Sequence, residues 1–318
     1  MKIEEDLDVS VVVPFYNRSS FLIRLLDSIE KQTLSPKKVY IIDNGSSFSE
    51  AQRAWNIISS HRINRICVFT STLERGNANY ARNLGYQLAE TKYVAYLDSD
   101  DWWEENHLLD STKLLKNANA AAVYSGAFIH TKDSFFEVKS EDVNKFSNPF
   151  ELILSDIGYC AVTPSYIVNK SLVNEKVMWD VTLKRHQDYD YFASIFFQTQ
   201  GWVFSPSINV NVDRQDGGIT SSEVDFTSLI RFYNKWHNQI PYQIKKRYLQ
   251  SMLYYSHKAN APKSIQNFYR SEIENHNFFY DYKYKVKCYA SYVNCYHNIV
   301  LTLDLLRLKS SLKRLLQK

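Results

Sequence analysis

The stretch VSVVVP, residues 9–14, is a run rich in valine that ends at a proline. A continuous apolar run of this kind is typical of a β-strand covered on both faces, as in a parallel sheet. The alternation of strand and helix patterns that begins here continues to residue 97. It predicts an α/β fold with a doubly wound, mostly parallel sheet. The predicted strands are 9–14, 39–43, 66–70 and 93–97, and the predicted helices lie at 21–29, 55–59 and 79–89.

Polar residues follow each of these four strands. They lie at residues 17–18, 43–46, 75–77 and 98–101. Ligands of doubly wound sheets bind beyond the carboxyl ends of the strands. We therefore expect these four clusters to surround a ligand site.

The last cluster belongs to YLDSDD, residues 96–101, which places Asp98, Asp100 and Asp101 within four residues. Such crowded carboxylates suit either a solvated turn or a bound cation. Oxygen ligands favour hard cations such as Mg²⁺ or Mn²⁺, which can bridge a diphosphate. The nucleotide-cradling patterns GxGxxG and GxxxxGK[ST] are absent from the sequence, so phosphates would have to be neutralised in another way.

Beyond residue 120 the pattern is less regular. Residues 121–130, 162–168 and 208–212 are predicted strands, residues 189–198 a predicted helix, and the chain from 226 onward is predicted to be helical. Residues 226–318 carry 16 Lys and Arg against 4 Asp and Glu, whereas residues 1–225 carry 22 against 30. This asymmetry predicts that the C-terminal third meets an acidic partner.

The remaining composition favours a cytoplasmic protein. The four cysteines contain no CxxC pair, which predicts neither a disulfide framework nor a zinc site. The N-terminal MKIEEDLDVS does not resemble a secretory signal. No apolar run reaches the roughly 18 residues of a membrane-spanning helix.

Taken together, the motifs resemble those of family 2 glycosyltransferases, which are inverting enzymes with the GT-A fold that use nucleotide-diphospho-sugars. The resemblance implies a GT-A domain with a twisted, mostly parallel sheet at 1–225, followed by a basic, Tyr-rich, mainly helical extension at 226–318. The matching segments are SVVVPFYNR (10–18), IIDNGSS (41–47), RGNANYARNLG (75–85), YLDSDDWW (96–103) and KRHQDYDYF (184–192).

The resemblance implies a binding site for a nucleotide base at the first two strand ends. Pro14, Phe15 and Asn17 would line the base, and Asp43 would accept a hydrogen bond from the uracil N–H. The family more often has a second acid after this one, and this chain has Asn44 there.

The resemblance also implies contacts with the phosphates and the sugar. Arg75 and Arg82 would meet the base or the phosphates, although Arg82 also suits a salt bridge on a helix face. Asp98 would face the ribose and the sugar, Asp100 would hold Mn²⁺ or Mg²⁺, and Asp101 would orient the donor sugar or buttress the loop.

The segment VDRQDGGITS, residues 212–221, matches a mobile loop that often carries a diphosphate-binding arginine and a further metal ligand in this family. Arg214 would contact the diphosphate, and Asp216 would replace the more usual histidine ligand. An ordinary surface turn is the alternative interpretation of this segment.

An inverting transfer needs a base, because an acceptor hydroxyl loses its proton as the new bond forms. In the family this base is the acid of a Glu-Asp pair that opens a helix. The matching pair is Gln187-Asp188, so the resemblance assigns the base to Asp188. The departure at Gln187 puts acceptor contacts in doubt.

Residues 299–318 combine an apolar leucine stripe with surrounding basic residues. A helix of this kind can lie on an anionic membrane surface. Packing on its own domain, or on a second subunit in a homodimer, stays open as the alternative. Nucleic acid is not an expected partner, because no binding motif is present.

The function implied is inverting transfer from a UDP-hexose or UDP-N-acetylhexosamine to a saccharide hydroxyl. The acceptor would be lipid-linked, as in bacterial cell-surface polysaccharide or lipopolysaccharide assembly at the inner membrane face. A non-catalytic nucleotide-sugar or glycan binding module is the alternative. A sugar nucleotidyltransferase would need a Gly-rich basic loop after the first strand, which PFYNRSS does not provide.

Overall fold

The computed structural model describes residues 7–72, 75–154, 161–173, 177–199, 201–214 and 224–276. The chain divides into two compact units, Met1–Trp236 and His237–Lys318. The helix that begins at Phe226 therefore belongs to the first unit, whereas the sequence suggested a boundary before it.

The described strands of the first unit form two sheets. Their bounds are β1 Val9–Phe15, β2 Lys38–Asp43, β3 Cys67–Ser71, β4 Tyr93–Tyr96, β5 Trp102–Trp103, β6 Ala122–Ser125, β7 Ala127–His130, β8 Phe135–Val138, β9 Ile167–Asn169, β10 Trp202–Ser205 and β11 Val210–Asp213. The larger sheet has the order β10-β6-β9-β4-β1-β2-β3, and the smaller has the order β5-β11-β7-β8.

The larger sheet is mostly parallel, as the sequence predicted. Only β9 runs antiparallel to its neighbours β4 and β6. β1 lies inside the sheet between β2 and β4, and all seven of its residues are buried. This burial on both faces explains why the strand is a nearly unbroken apolar run.

Helices flank this sheet in the order expected from the sequence. Their bounds are α1 Leu22–Glu30, α2 Phe48–Ser60, α3 Ala78–Leu88, α4 His107–Ala118, α5 Phe150–Ile153, α6 Gln187–Gln198 and α7 Phe226–Trp236. α1 buries the apolar positions predicted for it, among them Leu22, Leu25 and Ile29. α4 was not predicted from the sequence.

The predicted strand at 121–130 is wrong as a single element. It is two strands, β6 and β7, which lie in different sheets and are separated by Gly126. A Cβ atom at Gly126 would lie 2.5 Å from the carbonyl oxygen of Val138, so only glycine allows this close approach. The chain therefore passes from one sheet to the other at this glycine.

The predicted strand at 162–168 is also wrong over its first half. Thr163–Ser165 is a 3₁₀ turn that contains Pro164, and the strand β9 begins only at Ile167. Proline has no N–H to donate to a sheet, which is the physical reason for the later start.

The described part of the second unit is helical, as predicted. It consists of α8 Tyr242–Lys258 and α9 Lys263–Asn275, each preceded by a proline. Across the residues that the structure describes, no helix combines the length and apolar character needed to span a bilayer. The basic leucine-rich segment 299–318 lies outside the described residues.

Candidate active site

A cleft in the first unit is lined by residues that follow β1, β2 and β4 and by residues near α6 and β11. It brings together several residues predicted from separate motifs. The lining includes Pro14, Phe15, Tyr16, Arg18, Asn44, Asn77, Arg82, Asp98, Ser99, Asp100, Asp101, Pro164, Lys184, Gln187, Asp188, Asp213 and Arg214.

The three acids that follow β4 have different surroundings. Asp101 is buried, and its Oδ1 accepts a hydrogen bond of 2.9 Å from the backbone N–H of Asp213. Burial raises the pKa of Asp101 well above its usual range, and the charges of Asp100 and Asp98 raise it further. Asp101 therefore ties the loop after β4 to the end of β11.

Asp100 is only partly buried and lies beside Arg18. Burial raises the pKa of Asp100, while the charge of Arg18 opposes this rise. The guanidinium of Arg18 forms an ion pair with the Asp100 carboxylate. The acid predicted to hold a metal is thus neutralised by an arginine in this structure.

Arg24 ties this loop to the end of β11. Its Nη2 donates hydrogen bonds to the Asp100 carbonyl oxygen at 2.6 Å and to Asp213 Oδ2 at 2.7 Å. Its guanidinium carbon also lies 4.0 Å from the ring centroid of Trp102. Arg24 fixes the backbone of the acidic loop, a role the sequence did not reveal.

Arg82 lies behind Asp98 and is only 2% exposed. Its Nη2 donates to Asp98 Oδ1 at 2.7 Å, and its Nη1 donates to Asn79 Oδ1 at 2.9 Å. The guanidinium also lies 4.5 Å from the ring centroid of Trp179. This salt bridge joins the buried Arg82 to the loop after β4, not to another residue on a helix face, and it orients Asp98.

Pro14, Phe15 and Asn44 form a wall of the cleft at the ends of β1 and β2. The Asn44 N–H donates to the Phe15 carbonyl oxygen at 2.8 Å, and both residues line the cleft. The Phe15 ring is fully buried and packs on Phe69, so only the Phe15 backbone can contact a ligand. The buried Oδ1 of Asn44 has no hydrogen-bond partner among the described residues.

Asn17, Asp43 and Arg75 lie next to this wall but are not among the lining residues. Asn17 Oδ1 accepts from the Ser47 N–H at 2.8 Å, and Asp43 Oδ1 accepts from the Ser46 N–H at 3.0 Å. The Arg75 side chain packs over Gly45, whose φ of +89° favours glycine. These contacts shape the turn after β2.

Asp188 lies in the first turn of α6 and lines the cleft. Its Oδ1 accepts a 3.0 Å hydrogen bond from the Tyr189 N–H. Burial raises the pKa of this carboxyl, and the nearby guanidinium of Arg82 partly offsets the effect. The position of Asp188 in the first turn of the helix favours the ionised form and so opposes the effect of burial.

The irregular segment before α6 is held by asparagine side chains of the RGNANYARN motif. Asn77 Nδ2 donates to the Val181 carbonyl at 2.6 Å, and Asn79 Nδ2 donates to the Leu183 carbonyl at 3.0 Å. Asn83 exchanges two hydrogen bonds of 2.9 Å with the backbone of Trp179. These hydrogen bonds position the irregular segment that leads into α6.

α7 holds the same region from its other side. Lys235 Nζ lies 2.8 Å from Asp190 Oδ1 and 3.3 Å from Asp180 Oδ2. Trp236 Nε1 donates to Asp190 Oδ1 at 2.7 Å. Because Asp190 follows Asp188 closely on α6, this network anchors the start of that helix.

Of the residues given a role from the sequence, the cleft collects eight: Pro14, Phe15, Arg82, Asp98, Asp100, Asp101, Asp188 and Arg214. Asp216 lies outside the described residues. Three charged lining residues were assigned no role from the sequence: Arg18, Lys184 and Asp213. All three fall within quoted segments, so the motifs contained a signal for them.

The chemistry of the acidic loop fits a divalent cation. Asp98 and Asp100 offer oxygen ligands, and burial, followed by the neighbouring charge of Asp98, raises the pKa of Asp100, an effect that a bound cation would oppose. The acids Asp98, Asp100 and Asp101 are not among the groups of three described residues whose ligand atoms lie within 4.8 Å of one another. Within the described ranges, the metal-competent cluster with ligand atoms inside 4.8 Å is instead Asp27, Glu30 and His61, outside the cleft lining.

The fold is that of the GT-A glycosyltransferases. The structure of Staphylococcus aureus TarS 1–349 in complex with UDP-GlcNAc superposes with a TM-score of 0.56 at 14% identity, covering 94% of this chain and 92% of that one. The mannosyltransferase PcManGT from Pyrobaculum calidifontis, in complex with GDP-Man and Mn²⁺, has a TM-score of 0.55 at 12% identity, covering 90% and 86%. At such identities the likeness concerns the fold alone.

The sequence identifies the family within this class. The family model for glycosyl transferase family 2 matches residues 10–177, more than half of the chain, and the chain belongs to that family. The predicted fold class and family are thereby confirmed.

Two curated relatives are bacterial. The amylovoran biosynthesis glycosyltransferase AmsB of Erwinia amylovora is 30% identical over 193 residues, covering 58% of this chain and 63% of AmsB. The UDP-Glc:alpha-D-GlcNAc-diphosphoundecaprenol beta-1,3-glucosyltransferase WfaP of Escherichia coli is 26% identical over 161 residues, covering 50% and 59%. The similarity therefore spans less than two thirds of either relative.

Proposed function

We propose that the protein transfers a sugar from a nucleotide-diphospho-sugar to a saccharide hydroxyl, with inversion at the anomeric carbon. The observation that carries this proposal is the position of Asp188. Its carboxylate opens onto the same cleft as Asp98 and Asp100, where the donor diphosphate would lie. A protein that only bound nucleotide-sugars would not need this third acid.

In the proposed reaction Asp188 accepts the proton of the acceptor hydroxyl. The acceptor oxygen forms a bond to the anomeric carbon as the bond between that carbon and the diphosphate oxygen breaks. The nucleoside diphosphate leaves with the bonding electrons, so atoms and charge balance in a single displacement. The raised pKa of Asp188 makes its carboxylate a stronger base than an ordinary aspartate.

The donor would bind with its base against the wall at the ends of β1 and β2. Pro14 and the Phe15 backbone would contact the base, with Asn17, Asp43 and the unpaired Asn44 Oδ1 at its polar edge. The Asn44 Oδ1 could accept a hydrogen bond from the N–H of uracil. We therefore favour a UDP-hexose or UDP-N-acetylhexosamine as the donor.

Cationic side chains would neutralise the diphosphate. Arg214 lines the cleft and, with Arg75 nearby, would approach the phosphates, while Lys184 lies on the side of Asp188. Arg82 would act indirectly, since its guanidinium already holds Asp98 at 2.7 Å.

Asp100 would hold a Mn²⁺ or Mg²⁺ ion, with Asp216 as the second ligand that the resemblance implies, and such an ion would supply stabilisation of the charge on the leaving diphosphate. Arg18 now pairs with Asp100, so this side chain must release the carboxylate before a metal can bind. Released, it would remain close enough to face the phosphates.

We place this activity in bacterial cell-surface polysaccharide assembly, at the inner face of the cytoplasmic membrane. The relatives AmsB and WfaP support this setting by their names, and the acceptor named for WfaP is lipid-linked. A membrane-surface contact through 299–318, or a homodimer formed by that segment, would suit such an acceptor.

The test is a screen for binding and hydrolysis of UDP-Glc, UDP-Gal, UDP-GlcNAc, UDP-GalNAc and GDP- and dTDP-sugars, with Mn²⁺ and with EDTA. We expect metal-dependent release of UDP from one donor. Asp188→Asn should lower sugar transfer about 10³-fold and leave the affinity for UDP unchanged, because general-base catalysis contributes about 10²–10⁴-fold. Asp110→Asn, on the exposed side of α4, is the matched control.

The alternative function, a non-catalytic binding module, makes a different prediction. It would bind a nucleotide-sugar without turnover, and Asp188→Asn would then have no measurable consequence. A protein that bound none of these donors, with or without metal, would refute both functions.

A further inference from the structure

The smaller sheet has two faces of different character. One face carries Trp103, Ala127, Val210 and Val212, all buried in the core. Because side chains alternate along a strand, the paired residues His130 and Phe135 lie on the opposite face. We call that second face the outer face; with these two it carries Trp102, Phe128, Glu137, Asn211 and Asp213.

Aromatic rings form a continuous strip across the outer face. The Phe135 ring stacks on His130 with centroids 5.4 Å apart and lies 5.8 Å from Phe128. His130 in turn lies 4.6 Å from Trp102. Phe135 is 63% exposed, so the far end of this ring strip is open to solvent.

The ring strip begins at the edge of the cleft. His130 pairs with Asp213 in the sheet register, and its carbonyl oxygen accepts a 2.7 Å hydrogen bond from the N–H of Arg214. Asp213 and Arg214 both line the cleft, and Arg24 connects Asp213 to the Asp100 loop. A molecule lying on the strip would therefore continue into the cleft.

Polar groups accompany the rings. Glu137 faces the same side as Phe135, and the Lys139 ammonium lies 3.9 Å from the Glu137 carboxylate. His130 Nε2 already pairs at 2.8 Å with Oδ1 of the buried Asn211, so Glu137 and Lys139, which are both exposed, supply the polar groups that face solvent. A sugar has an apolar C–H face that packs on aromatic rings and a rim of hydroxyls that bond to such polar groups. A lipid chain would instead leave the Glu137 and Lys139 charges against hydrocarbon.

From these contacts we infer that the outer face of the smaller sheet is the subsite for the saccharide acceptor. This inference rests on the proposed transferase function. The acceptor's distal sugar packs on Phe135 beside Glu137, and the accepting hydroxyl enters the cleft past Asp213.

The experiment measures saccharide binding by saturation-transfer-difference NMR in the presence of UDP, using lactose, cellobiose, maltose, chitobiose and mannobiose as probes. We expect at least one disaccharide to bind the wild-type protein. Phe135→Ala should lower the affinity for that disaccharide about tenfold, which is the scale of one lost apolar contact in a substrate pocket. The affinity for UDP and the rate of donor hydrolysis should stay within about twofold.

Phe136→Ala is the matched control. Phe136 is the next residue, is 48% exposed and points to the other face of the same strand. It should bind the disaccharide as the wild type does. Phe135→Trp supplies a second measurement, since the larger ring should strengthen binding and its fluorescence should change when the disaccharide is added.

Three results would overturn the inference. They are equal binding by Phe135→Ala and Phe136→Ala, no binding of any probe by the wild type, and conversion of a dimer to a monomer by Phe135→Ala in light scattering. The last would make the outer face a contact between two copies of the chain. Continued donor hydrolysis in each case would leave the transferase function standing, whereas a protein that cannot bind UDP would refute that function instead.

Discussion

The two sheets of the first unit are assembled in different ways, and they contribute different parts of the cleft. β1 to β4 of the larger sheet follow one another with helices between them. β1 pairs in parallel with β2 and β4, and β2 pairs in parallel with β3. The smaller sheet takes strands of two to four residues from positions between 102 and 213. The larger sheet supplies the cleft wall at the ends of β1 and β2, and the smaller sheet supplies Asp213 at the end of β11.

The cleft wall at the ends of β1 and β2 is built from the ends of buried strands. The segment 177–186 that leads into α6 has no regular structure. The side chains of Asn77 and Asn79 at the start of α3, and of Lys235 on α7, hold it in place. The position of Asp188 therefore depends on long-range contacts, and these can be removed one at a time.

The largest effect should come from breaking the α7 contact. Lys235→Met leaves the fully buried Asp190 with the Trp236 N–H as its hydrogen-bond donor. Removing one partner of a buried pair costs about 3–5 kcal/mol, and we expect about 2 kcal/mol here because Lys235 is partly exposed. Urea unfolding measures this free energy.

Lys113→Met, on the exposed side of α4, is the control for that substitution. The double variant Asp190→Leu/Lys235→Met should lose less stability than the two single variants added together, since it removes both charges. If Lys235→Met and Lys113→Met unfold at the same urea concentration, the contact between α7 and Asp190 at the start of α6 does not stabilise the protein.

The sequence predicted the first sheet well because its signals are local. A buried parallel strand is a continuous apolar run, and β1 to β4 all have such runs. The prediction was wrong at Gly126, where a change of sheet depends on a carbonyl group contributed by Val138. No pattern within residues 121–130 reports that contact.

The site shows the same division. The acidic loop and Asp188 lie in short motifs and could be predicted from the resemblance. Arg24 could not be predicted, because it bonds to Asp100 across 76 residues and to Asp213 across 189 residues. Its spacing within α1 is that of an ordinary solvent-facing helix residue.

A smaller effect should appear in the pH dependence of kcat, which sharpens the assignment of the base. The folded pKa of Asp188 is raised by burial, and only the ionised carboxylate accepts a proton. Transfer should therefore rise with pH through this raised pKa and fall about tenfold per pH unit below it. The midpoint should lie above the ordinary aspartate value of 3.8.

Rates of transfer under saturating donor and acceptor measure this acidic limb. Asp188→Glu should shift the midpoint while retaining some transfer, which a merely structural acid would not do. An acidic limb that stays at the same pH in Asp188→Glu would assign the titration to another group.

The smallest effect should be found at the cleft wall formed at the ends of β1 and β2, where two neighbouring residues have different surroundings. Asn44 lines the cleft with an unpaired buried Oδ1, whereas Asp43 already accepts the Ser46 N–H. A hydrogen bond contributes about 1 kcal/mol, so Asn44→Ala should lower the affinity for UDP about fivefold. Isothermal titration calorimetry measures this affinity. Asp43→Asn keeps an oxygen for Ser46 and should change the affinity less. The reverse ranking would show that Asp43 contacts the base itself, and that the turn after β2 rearranges when the donor binds.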